Sequence, residues 1–196
     1  MSRSGPITKD TSTIALGMAQ IRVLASAANI ASIEPVGTPS DSIGALAATK
    51  YMGETEWFNF ESGFPLIEDY AIVTREKASL ECTFNELTPA NLALAHGIDP
   101  TVSGEYTLVH SGEIEIGGRT AAAYVRMEAL YTFPNGINTM QIIFPRAQVT
   151  SSPEIDMQSE DAVGVPVTFE SKNASSDTTG GNAVWDDKPL GRILFA

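Results

Sequence analysis

The stretch Ser79–Pro100, SLECTFNELTPANLALAHGIDP, changes its structural period halfway along with no linker between the halves. In the first half Leu80, Cys82 and Phe84 alternate with Ser79, Glu81 and Thr83, the period of a strand with one buried face. In the second half Thr88 is placed to cap a helix through its hydroxyl, Pro89 suits the first turn, and Gly97 suits the left-handed residue that ends it. Leu87 and Leu92 stand at the positions of a hydrophobic staple across that cap. A helix of about two turns is marginal alone, so Leu92, Leu94 and the neighbouring alanines must pack on something larger, the face or open end of a sheet.

Outward from this stretch, strand signals recur with turn signals between them. From Glu105 to Ile116 apolar and polar residues alternate up to the turn GGR, and the next segment places Ala121, Ala123, Val125, Met127, Ala129, Tyr131 and Phe133 on one face, with Arg126 and Glu128 on the other. The two segments read as a long antiparallel hairpin, and PNG, Pro134–Gly136, turns the chain at the end of the second. NTMQIIFPRAQV gives a further strand, and VGVPVTFES a last one with Val163, Val165, Val167 and Phe169 inward and Pro166 outward. A residue without an N–H is confined to an edge or a bulge, so this strand is expected at a sheet edge, beside a subunit boundary. Near the start, TIALGMAQIRVLA reads as a strand whose apolar parity slips around Gly17–Gln20. The fold class is mainly β, an antiparallel β-sandwich or split barrel with one short flanking α-helix, and 196 residues at 43% hydrophobic content fit a single domain over 1–196.

Two stretches fit no core strand. Residues 31–63 mix Gly, Pro and Ser with the aromatic residues Tyr51, Trp57, Phe58 and Phe60 and read as a long assembly loop. Residues 172–196 are a polar, linker-like run ending in Ile193, Leu194 and Phe195, and read as a C-terminal arm. Both are expected to dock on a neighbour, which makes Trp57, Phe58, Phe60, Val165, Pro166 and Val167 the candidate inter-subunit residues.

Chemistry-bearing groups are few. The two histidines, His96 and His110, show no metal-ligand spacing, and EIGGRTA lacks the strand, Gly-rich loop and helix of a phosphate cradle. The single cysteine, Cys82, falls on the buried face of its strand, where it is a small hydrophobe. Pairs such as Glu113 with Glu115 read as ordinary solvated strand faces. No enzyme activity and no cofactor or metal are expected. A net charge of −12 excludes a protein that grips phosphate backbones, and no apolar run in the first 30 residues is long enough for a signal peptide or membrane span, which places synthesis in a cytoplasm.

KASLECTFNELTPANLALAHGIDP, followed by IIFPRAQVTSSPEIDMQSEDAVGVPVTFES, resembles the major tail tube proteins of long-tailed bacteriophages. There a strand ending at Leu-Thr-Pro enters the main helix, and a late FPR strand is joined by an acidic loop to a closing VPVTF strand. The likeness runs from about Lys77 to Ser171 and rests on the order of these phrases. It implies a subunit that joins six-fold rings, rings that stack into a hollow tube in the virion tail, and DNA that passes through without specific binding. The partners it implies are further copies of the chain and other tail components such as tape measure and terminator proteins, with no membrane. Glu81, Glu113, Glu115 and Glu128 are then candidates to line an electronegative lumen. A secretion-system tube protein shares that architecture. Two readings from other classes are a soluble β-sandwich binding module, for example carbohydrate-binding, with Tyr51, Trp57 and Phe58 as a stacking platform, and a hydrolase built on an acidic pair.

Overall fold

A computed structural model describes residues 17, 19–64, 67–98, 114, 116–117, 123–155 and 164–196. Their strands are β1 (Gln20–Ala25), β2 (Leu46–Ser62), β3 (Ile67–Phe84), β4 (Val125–Thr132), β5 (Thr139–Val149), β6 (Val165–Ser171) and β7 (Arg192–Phe195), and their α-helices are α1 (Ser26–Asn29) and α2 (Pro89–Ala95). All pairings are antiparallel, in one sheet of order β1-β4-β5-β6-β3-β2, with β7 added on β5.

The sheet curls on itself because β5 changes partners along its length. Its first part, Met140–Ile143, pairs with β7, and its last part, Ala147–Val149, pairs with β6. Inward residues of the two halves meet in one core: Ile21 and Val23 of β1, Val125, Met127 and Ala129 of β4, Leu80, Cys82 and Phe84 of β3, and Val165, Val167 and Phe169 of β6. Alternation predicted these inner faces. The result is an open, split barrel whose end strands are β1 and β2, and the chain entering β2 crosses the seam between them. Ile43 donates its N–H to Ile21 O at 3.1 Å, and Asn85 donates its N–H to Ala45 O at 2.9 Å.

Helix α2 (Pro89–Ala95) sits beside this seam, with Leu94 and Ala95 in the core. The Thr88 hydroxyl accepts from Asn91 N, Pro89 opens the helix, and Gly97 ends it at φ +69°, as the sequence predicts. The staple does not fix its approach, since Leu87 is exposed. Polar bonds do so instead: the Asn91 amide donates to Ile43 O and Glu86 O, both at 2.9 Å, and the Glu86 carboxylate accepts from Ala45 N at 2.8 Å. A helix cannot be extended as a strand, so at the seam it closes the flank without offering a new edge.

Several expectations are corrected. Residues 46–62, expected as part of a structureless loop, form the 17-residue strand β2. Both edges of β4 are occupied, by β1 and by β5; the hairpin strand expected from Glu105–Ile116 lies outside the described residues but for 114 and 116. Strand β6 lies between β5 and β3 and is not an edge strand. Pro166 is nevertheless accommodated for the predicted reason. Thr168 turns its N–H and C=O toward the β5 side, where they bond Ser151 Oγ and Thr150 N at 3.0 Å each. By alternation Pro166 turns its nitrogen to that same side, beyond the point at which β5 ends.

The run 172–196, expected as an arm that docks on a neighbour, is folded back on its own chain. Trp185 is fully buried with Ile30, Ile143 and Ala174 in a second cluster, and its indole N–H donates to Ile30 O at 2.6 Å. Polar residues shape the turns that deliver it: Asn182 caps a single 3-10 turn through Val184 N, and Asp186 accepts from Ser176 N and Oγ. At Gly191, φ +122°, the backbone lies so close to Ile143 O that an added Cβ would stand 2.1 Å from it.

Candidate assembly surface

Strands β2 and β3 are much longer than the sheet they belong to. Strand β6 covers β3 only over Ser79–Phe84, so Ile67–Ala78 and its partner Gly53–Ser62 project as a two-stranded ribbon. Roughly ten residue pairs at about 3.3 Å each make it ~30 Å long. A lone two-stranded ribbon is marginal in water, so its side chains matter for what covers it.

Even-numbered residues of β2 share one face with their cross-strand partners. At the base that face carries three ion pairs: Lys50–Glu81 at 3.7 Å, Glu54–Lys77 at 3.8 Å and Glu56–Arg75 at 3.5 Å. A register shift follows between Glu56 and Trp57. Beyond it the same face becomes apolar, with Phe58 opposite Ile72 and Phe60 opposite Tyr70, the last two rings stacked at 5.3 Å. The other face carries Trp57 opposite Val73. These side chains are solvent-exposed, Trp57 by 60% and Phe58 by 56%. An exposed apolar surface on both faces of a projecting ribbon is a mark of a protein contact. Trp57, Phe58 and Phe60 are exposed on this ribbon. Val165 and Val167 are not, because both are buried in the subunit core; of the trio in β6 only Pro166 is exposed.

The candidate lumen glutamates separate. Glu81 lies on the outer face of β3, half-exposed and paired with Lys50. Glu128 is corrected: it is 4% exposed and faces Arg126, which is 0% exposed. Glu128 Oε1 accepts from Arg126 Nε at 2.7 Å, and the carboxylate also accepts from Val36 N at 3.0 Å and Gly37 N at 2.9 Å. The Arg126 guanidinium donates further to the carbonyls of Asn29, Ser32 and Glu34 at 2.6 to 2.7 Å. The pair fastens residues 29–37 across the outer face of β4, so a polar parity that reads as solvent-facing is in fact covered by chain. Glu113 and Glu115 lie outside the described residues.

At the foot of the ribbon a groove of about 360 Å³ opens between it and residues 187–193. It is lined by Tyr51, Phe144, Leu190 and Ile193 and by charged side chains of both signs, among them Glu54, Glu76, Lys188 and Arg192. Cys82 lies in the core, where burial pushes its thiol up from 9.0 to about 12. No helix of the described residues is long and apolar enough to cross a membrane.

No family model and no curated protein matches the chain. Among solved structures it is similar to the cryo-EM structure of the anti-feeding prophage cap (AFP tube terminating cap), with a TM-score of 0.39 and 10% identity over 97% of each chain. At that level the likeness transfers neither fold nor role, and the surface is read from its own residues.

Proposed function

We propose that this chain is a structural, non-enzymatic subunit of a phage tail tube, joining rings of copies that stack around a channel for DNA delivery. The observation that carries the reading is the ribbon: a folded subunit with its own two cores extends ~30 Å of strand whose distal part exposes large apolar side chains on both faces. Burying a large apolar side chain contributes roughly 1.5–3 kcal/mol, so covering Trp57, Phe58, Phe60, Tyr70 and Ile72 against neighbours supplies several such contributions per subunit. The sequence resemblance over Lys77–Ser171 gives the kind of assembly, and the outer edge of β2, unpaired among the described residues, gives neighbours a further strand to meet. On this reading tape measure and terminator proteins are the remaining tail partners and the mature location is the virion.

Negative-stain microscopy of the purified protein tests it, alone and with tail components present. Rings or tubes are expected, and Phe58→Ser/Phe60→Ser should leave folded monomers that do not polymerise. A protein that sediments as monomer under every condition, with Trp57 fluorescence quenched by a saccharide, would replace the tube with a binding module.

A further inference from the structure

We propose that Asn135 and Gly136, in the turn between β4 and β5, are a site of spontaneous covalent modification, where the folded chain converts the Asn135 amide into a carboxylate through a cyclic imide.

The reaction is an attack by the chain on itself. The Gly136 nitrogen loses its proton to solvent and bonds to Asn135 Cγ. The Cγ–Nδ2 bond breaks, and the amide nitrogen takes up a proton and leaves as ammonia. Water then opens the five-membered ring. Addition at Cγ gives aspartate, and addition at the Asn135 backbone carbonyl carbon gives isoaspartate, whose main chain runs through Cβ and Cγ. Water is the co-reactant, and no electrons are gained or lost.

Three observations place the reaction here. Asn135 is the one asparagine of the chain followed by glycine, so the attacking nitrogen carries no neighbouring side chain to hinder it. Both residues are exposed, and apart from its chain neighbours no described atom lies within 4 Å of where a Cβ on Gly136 would stand, which leaves room for ring closure and for water. The Asn135 Oδ1 accepts the N–H groups of Ile137 and Asn138, both at 3.0 Å. Negative charge gathers on that oxygen as nitrogen adds to Cγ, so the two donors are those of an oxyanion hole, and they hold the side chain against the backbone beforehand.

One bond opposes the attack, from Gly136 N–H to Phe133 O at 2.9 Å. It is a single bond in an exposed turn, where water replaces it at small cost. Asn173 and Asn182 supply the internal comparison. Each Oδ1 accepts one backbone N–H, from Ser175 at 2.9 Å and from Val184 at 3.2 Å, and each is followed by alanine.

The test ages the purified full chain in mildly alkaline buffer, folded and in urea, and follows each asparagine by peptide mass mapping with isoaspartyl methyltransferase labelling. Conversion is expected at Asn135 ahead of Asn173 and Asn182, about tenfold faster in the folded chain than in urea. Asn135→Gln, which would have to close a six-membered ring, should end it without unfolding the protein. No conversion at Asn135, equal conversion at Asn182, or a folded rate no greater than the rate in urea would overturn the proposal, the last because the turn would then protect the amide.

Discussion

Replacing Glu128 by Gln separates the two kinds of glutamate in this chain. The substitution preserves shape and removes one charge, leaving Arg126 fully buried with a positive charge and carbonyl oxygens alone to face it. The new amide must also turn an N–H toward either Arg126 or the peptide N–H groups of Val36 and Gly37, all of which are donors. Breaking a buried ion pair by removing one partner costs about 3–5 kcal/mol. At roughly 2–4 °C per kcal/mol for a domain of this size, the melting temperature should fall by about 10 °C. Glu81→Gln is the internal comparison. It breaks a 3.7 Å pair between half-exposed side chains and should cost less than about 1 kcal/mol. Urea unfolding followed by Trp fluorescence measures both, and hydrogen exchange over residues 26–37 shows whether the fastened segment loosens first. Equal effects of the two substitutions, or unchanged protection of 26–37, would refute the assignment of Glu128 as a buried fastener.

Gly191→Ala should destabilise by more than about 1–3 kcal/mol and loosen β7 from β5, because it adds a Cβ at positive φ against Ile143 O; Gly180→Ala, at φ +81° with nothing nearby, isolates the strain alone, and exchange at Met140–Ile143 distinguishes them. The folded state raises the Cys82 pKa, so the stability this thiol contributes is complete below pH 9.0 and is lost as pH climbs toward about 12. The stability difference between wild type and Cys82→Ala should therefore be flat below pH 9 and narrow by about 1.4 kcal/mol per unit above it; a difference that stays constant to pH 11 contradicts the burial. Pro166→Ala should cost no more than about 1 kcal/mol by thermal unfolding, since the restored N–H meets no ladder.

Alternation in the sequence located the inner faces of β3, β4 and β6 and the limits of α2, because each carries its buried residues at one parity or one cap. Strand β2 was illegible for the opposite reason. In EWFNF adjacent Trp57 and Phe58 are both apolar, one on each face of the ribbon, and no alternation results. Arg126 and Glu128 have the parity of a solvated face, but they neutralise each other and saturate the backbone of 29–37, a relation between distant segments that no local pattern carries. Residues 172–196 have a linker's composition, yet Asn173, Asn182 and Asp186 spend their polar groups on turns that hold Trp185 in place. For Pro166 the physics was right and its reach was too wide: a missing N–H requires an unpaired side at one residue, and the rest of the strand is free to sit inside a sheet.

The division of the ribbon at its register shift gives its two halves opposite responses to the solution around them. The ion pairs at the base are screened as salt rises, within a Debye length of about 10 Å at 0.1 M. The same salt screens repulsion between chains of charge −12 and brings their apolar ends together more readily. Cooling acts on the apolar end alone, because the drive to bury it fades as temperature falls. A polymer held by such ends grows on warming in moderate salt and dissolves in cold, dilute buffer, while each released subunit keeps its fold.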